Sequence, residues 1–230
     1  MLLATWNMQG GDASSEHKWN ACVLPLLTQT EADAVCVQEC GDKPPSADTI
    51  ADSFVVPDPL APWRQRTVDC HLWGTGPTRF VTAYRWEVDG DRCDLAIVSG
   101  AMPEDVRLLA GVRGGRRRPV LGIRLGDVWV FTLHAVSRGG ADAPGLIRAV
   151  MNAVGPNFVV AGDFNADPDV LRPRLPDATT LIPPVGNTYS TTHPRARYDY
   201  LVAPGGTAVS GGTVLTGLVY SDHYPVLFGV

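Results

Sequence analysis

Lysine is almost missing from this chain: Lys18 and Lys43 are the only two, beside 17 arginines. No apolar run approaches the roughly 18 residues a membrane-crossing helix needs, which excludes that kind of anchor. No CxxC pair occurs, so a structural zinc site is not expected. No repeat, low-complexity tract or Pro/Gly/Ser linker divides the chain, and one domain over 1–230 is expected. Basic residues are not in excess either. The 19 basic and 24 acidic side chains leave a formal charge of −5, which tells against bulk electrostatic attraction to nucleic acid.

The 230 residues can bury a sizeable core. A 45% apolar share with 19% charged residues is that of a folded chain, not a disordered one. Cysteines 22, 36, 40, 70 and 93 make an odd count, so at least one cannot pair within the chain. The opening MLLATWN has no basic segment, no long apolar stretch and no small-residue cleavage site. Both features point to the cytoplasm, unless the chain is the trimmed form of a secreted protein.

Short apolar runs predict strands at Leu2–Trp6, Ala34–Gln38, Phe80–Val88, Asp94–Val98, Val120–Leu125, Val128–His134 and Phe158–Ala161. Gly126-Asp127 predicts a hairpin turn between two of them. Helical spacing is present over Glu16–Gln29, where Pro25 should kink or shorten the helix, and over Ala143–Val154. Gly41–Pro62 reads as loop. Shorter strands are expected near Tyr198–Val202, Thr213–Val219 and Pro225–Val230. The sum is an α+β domain with sheet packed on sheet.

Polar residues close the apolar runs. Asn7 ends the first strand, Glu39 follows the second, and His134 ends VWVFTLH. Asp163 and Asn165 end FVVAGDFN, Asp199 lies in RYDYLV, and Asp222-His223 precede the last strand. Each alone fits a turn, a cap or a satisfied core residue. Together they are costly unless gathered in one polar site. Metal-assisted attack on a phosphate ester fits the set. Asn7, Glu39 and Asp222 offer oxygen to a hard cation such as Mg2+. Asp163 can activate water with Asn165 fixing it, while His134 and an Asp199-held His223 donate to phosphoryl oxygens. Five arginines between Arg107 and Arg118 form either a candidate oxyanion site or a solvated loop.

The segments TWNMQG, VQEC, TLHA, GDFN, YDYLV and SDHYPV resemble the ordered motifs of the endonuclease/exonuclease/phosphatase superfamily, the DNase I-like fold. ATWNMQG with HKWN, DLAIVS, RRRPVLGIRLGDVWVFTLHA with SRGGADA, and VVAGDFN through SDHYPV are similar to the family of cytolethal distending toxin B subunits. The resemblance runs from Ala4 to Val226 and is poorest over Gly41–Gln65. It implies a four-layer sandwich, two packed mixed β-sheets flanked by helices. It also implies a metal site at Asn7 and Glu39 with Asp222 nearby, and catalytic His134, His223 and Asp199. Asp163 and Asn165 match the water-activating pair, and Arg92 and Arg118 match phosphate-contacting arginines. No acidic partner for His134 is evident.

The expected activity is a Mg2+-dependent (Mn2+ or Ca2+ in its place) phosphodiesterase acting on DNA as an endonuclease. The alternatives are a phosphomonoesterase for a phosphoinositide headgroup or small metabolite, and a non-catalytic binding subunit. Partner subunits are not readable from one chain.

Overall fold

The computed structural model describes residues 1–10, 16–50, 53–74, 76–86, 93–111 and 118–230. Among these, the strands form a ten-stranded and a six-stranded sheet. At the heart of the larger sheet Leu2–Asn7 and Ala34–Gln38 run parallel, with Asn7 opposite Gln38. Val226–Gly229 extends it on one side; Leu95–Ser99, Arg79–Tyr84 and Ala61–Trp73 extend it on the other, all antiparallel to their neighbours. The smaller sheet repeats this plan. Val128–His134 and Phe158–Asp163 are its parallel centre, with His134 opposite Asp163. Antiparallel strands Pro119–Leu125 and Asp199–Pro204 lie on either side.

The central strands are apolar nearly throughout because each sheet is covered on both faces. Leu3, Ala34, Cys36 and Ile97 of one sheet meet Phe131, Leu133, Val160 and Leu201 of the other in the main core. Alternate residues of the larger sheet, Ala4, Trp6, Val35 and Val37, pack outward onto Trp19, Cys22, Val23 and Leu26 of the first helical segment. Helix Ala143–Val154 adds Leu146, Ile147 and Val150 to the main core. The layers are helix, sheet, sheet, helix: the α+β sandwich expected. No helix among the described residues is long and apolar enough to cross a membrane.

Several local expectations need correction. The helix holding Pro25 is interrupted and ends at Thr28, one residue short of the expected Gln29. Glu16–Lys18 and Leu24–Thr28 are α-helical, and Trp19–Val23 between them widens into a π turn in which Leu24 N–H donates to Trp19 O. Pro25 lies just after this π turn, in a run that stays helical from 16 to 28, so the missing Pro25 N–H is absorbed by the widened turn before it. The expected loop Gly41–Pro62 contains strands Asp48–Thr49 and Phe54–Asp58, and the latter makes a hairpin with Ala61–Trp73. Residues 62–67 of that hairpin are exposed on both faces, so no period-2 apolar pattern marks them. The Asp58 carboxylate closes the turn by accepting from Leu60 N, Ala61 N and Arg66 Nε. Asp105–Ala110 is an unanticipated edge strand. The expected Phe80–Val88 strand is Arg79–Tyr84, with Val88 outside the described residues, and of Thr213–Val219 only Thr213 and Val214 are strand, in Gly212–Val214.

Candidate active site

Parallel pairing brings like ends of strands together, and that builds the site. Asn7 and Gln38, with Glu39 next in chain, end the central pair of one sheet. His134 and Asp163 end the central pair of the other, and Asp199 lies opposite Asp163 on the next strand. The two sets meet where Asn7 Nδ2 donates to Asp163 Oδ2 at 2.9 Å, across 156 residues of sequence. Close approaches set the edges. A Cβ on Gly162 would lie 2.1 Å from Leu133 O, and one on Gly10 would lie 2.3 Å from Glu39 O. Only glycine lets these loops and strands close up beneath the site. Glu39 and Asn165 hold φ of 50° and 51°, a left-handed backbone whose cost the surrounding packing must offset.

Asp163 is the hub. It is 1% exposed. Its Oδ1 accepts from Asn165 N at 2.8 Å, while Oδ2 accepts from the amides of Asn7 and Asn165. His134 Nε2 stands 3.5 Å and His223 Nε2 3.8 Å from the same Oδ2. Burial, reinforced by Asp199, holds the Asp163 pKa above the ordinary carboxylate value against the pull of His223 and His134. Asp163 and Glu39, the latter 3.7 Å from His134 Nε2, are the acidic neighbours of His134 that sequence reading did not find.

His223 Nδ1 is 2.7 Å from Asp199 Oδ2. Burial pulls the imidazole pKa down, but Asp199 and Asp163, the Asp199 hydrogen bond and Asp222 outweigh it and push it up to about 10. Asp163, Asp199 and His223 place ligand atoms within 4.8 Å of one another. The 2.7 Å bond already occupies the imidazole Nδ1, so His223 and Asp199 read as an oriented imidazole–carboxylate pair.

A hard divalent cation wants oxygen donors, and the other flank of the site supplies them. Asn7 Nδ2 lies 3.3 Å from Glu39 Oε1, and Asn7 Oδ1 accepts from Gln9 N with a lone pair to spare. Asp222 is half-buried at the rim, where its carboxylate accepts from Ser221 Oγ. Burial lowers the pKa of Lys18 against the raising fields of Asp222 and Glu39, and its ammonium donates to the carbonyls of Met8 and Gln9. This donor chemistry fits such an ion.

Arg118 Nη1 donates to the carbonyls of Ala135 and His134 at 2.8 and 3.3 Å, so it braces the end of the His134 strand. Arg92, Arg113, Arg116 and Arg117 lie outside the described residues. Arg107 is ion-paired with Asp105 and stacked over Trp129, so it serves the edge strand.

Supporting residues were missed. Gln38, fully buried, donates to Thr132 Oγ1 at 2.8 Å and Thr5 Oγ1 at 3.1 Å, bolting the sheets together two residues below His134 and Asn7. Thr188 Oγ1 accepts from Tyr198 N and Asp199 N. Ser221 Oγ donates to Asn7 O and accepts from His223 N. A Gln and two Thr inside apolar strands were a visible signal; nothing marked Thr188.

The model of the endonuclease/exonuclease/phosphatase family matches residues 4–223. The B subunit of the cytolethal distending toxin of Escherichia coli is 34% identical over 97% of this chain and 89% of its own length. The Salmonella typhi homolog of that toxin component is 31% identical over 97% and 87%. The crystal structure of the cytolethal distending toxin from Actinobacillus actinomycetemcomitans superposes with a TM-score of 0.81 at 28% identity, covering 99% of this chain and 97% of that one. The chain belongs to the endonuclease/exonuclease/phosphatase family.

Proposed function

We propose that this phosphoesterase is a divalent-metal-dependent endonuclease that cuts DNA without sequence preference, the whole chain acting as one domain. The observation carrying this reading is the register-aligned row His134, Asp163, Asp199, tied to the Asn7–Glu39 flank by the Asn7–Asp163 hydrogen bond. Glu39 and Asn7 would hold Mg2+, with Asp222 beside them. Bound there, the ion supplies positive charge to the phosphoryl group and its leaving oxygen. Asp163 orients and deprotonates the attacking water, and Asn165 holds that carboxylate in place. Asp199 fixes the His223 ring so that Nε2 faces the site, where it and His134 donate to the non-bridging oxygens. By name the relatives are toxin subunits, so assembly with partner chains belongs to this reading. Five buried cysteines in an odd-numbered set fit a reducing compartment such as the cytoplasm.

Nicking of supercoiled plasmid with Mg2+, assayed beside phosphate release from phosphoinositide and nucleotide substrates, tests it. The expected result is nicking that EDTA abolishes and that falls at least about a hundredfold in His134→Ala and His223→Ala. Full activity in both variants sinks the assigned roles. A preference above about tenfold in kcat/KM for a phosphomonoester, roughly 1.4 kcal/mol, transfers the site to a phosphatase.

A further inference from the structure

The loop 188–196 is built onto the histidine side of the site. It closes on itself where Tyr189 N donates to Ala196 O at 3.0 Å, and Arg195 N and Ala196 N donate to Tyr189 O at 2.7 and 2.8 Å. It is also stapled to the segment that carries Asp222 and His223. Thr191 N donates to Asp222 O, Thr191 Oγ1 to Ser221 O, and Tyr224 Oη to Thr191 O. The Tyr189 ring rests 4.9 Å from the His223 ring, and the Arg195 guanidinium sits 5.3 Å above the Tyr189 ring. A cation is therefore held two short steps from an imidazole of the reaction centre.

Three other cations described on this edge are committed. Arg197, two residues on, pairs with Asp167 and Asp169. Arg118 is spent on backbone carbonyls, and Lys18 on the carbonyls of Met8 and Gln9. Arg195 is exposed and makes no ion pair among the described residues. The site itself gathers Glu39, Asp163, Asp199 and Asp222 in a chain of net charge −5, so a polyanionic substrate needs a local cation to dock. A guanidinium held by stacking and a closed loop is pre-organised to grip phosphate without much ordering cost.

We infer that Arg195 is a specificity residue that binds a non-scissile backbone phosphate of a polynucleotide, beside the phosphate cut between His134 and His223. The inference rests on the endonuclease reading and names how that site selects a substrate with more than one phosphate. An ester with a single phosphate has nothing to place on Arg195.

The test compares Arg195→Ala, Arg195→Lys and the parent protein on duplex DNA and on bis(p-nitrophenyl) phosphate, a diester with one phosphate. The ratio of kcat/KM on DNA to kcat/KM on the small diester should fall about tenfold in Arg195→Ala, chiefly through KM. Arg195→Lys, which keeps the charge but loses the planar fork, should recover only part of it. Binding of a labelled duplex in EDTA should lose about 0.9 from its log–log salt slope, the loss of one phosphate contact. An unchanged ratio overturns the inference: equal losses on both substrates mean that Arg195 acts only by propping Tyr189, and no loss on either means that it has no part in binding. A parent protein that cuts the small diester and leaves DNA intact overturns both the inference and the endonuclease reading. One that cuts both, with an unchanged ratio in Arg195→Ala, overturns the inference alone.

Discussion

Replacing Gln38 by Leu tests whether the bolt between the sheets sets the site. The Gln38 amide donates to Thr132 Oγ1 at 2.8 Å, Thr5 Oγ1 at 3.1 Å and Cys36 O at 3.2 Å, with both threonines fully buried. Leucine supplies no donor, so these acceptors lose their partner where water does not reach. At about 1 kcal/mol for a net hydrogen bond and up to about 3 for a stranded buried group, Gln38→Leu should cost roughly 2–4 kcal/mol. That is a fall in Tm of roughly 10 °C for a chain of this size. Thr132→Val removes the shortest of these three bonds, the one that crosses between the sheets, and should cost about 1–3 kcal/mol. The double variant removes both polar partners, so its loss should be smaller than the sum of the single losses by about 1–2 kcal/mol. Urea unfolding of the four proteins, with the slopes compared to confirm one transition, measures the coupling. Additivity within about 0.5 kcal/mol would falsify the claim that this bond joins the sheets.

Asp199→Asn should lower kcat at least about a hundredfold with little change in KM, because the His223 ring loses its anchor; steady-state kinetics decides, and an unchanged kcat refutes the pairing. Gly162→Ala puts a Cβ 2.1 Å from Leu133 O, a backbone atom that cannot swing away. The expected cost is about 1–3 kcal/mol by urea titration, together with lost activity as the His134 and Asp163 strands are forced apart. All five thiols are buried, and burial pushes those of Cys22, Cys36 and Cys40 up. A chromogenic disulfide reagent should therefore modify none in the native protein and five after unfolding, and rapid native reaction at any one of them contradicts this core.

The sequence announced much of this architecture because buried parallel strands are local signals. An apolar run such as LLATWN or FVVAGD is apolar for its own sake, and the polar residue that ends it is visible without knowing its neighbours. Hairpin Phe54–Trp73 stayed hidden for the opposite reason: its exposed middle buries neither face, and Pro57 and Pro62 imitate a loop. The π turn at Trp19–Val23 escaped because helical spacing alone does not reveal how a chain absorbs a proline. Thr188 and Ser221 act by donating or accepting at backbone atoms distant in sequence, and no side-chain pattern encodes that.

By itself the sequence determined the materials: apolar strands, the amide, carboxylate and imidazole groups that close them, and glycines where chains must touch. Those follow from the cost of burying charge and from steric contact, which act residue by residue. The tertiary structure alone decided which groups meet. Register put His134, Asp163 and Asp199 in one row, sheet packing set Asn7 against Asp163, and a closed loop hung Arg195 beside His223. Register and packing are relations between segments, and a single residue carries no record of the partner it will face.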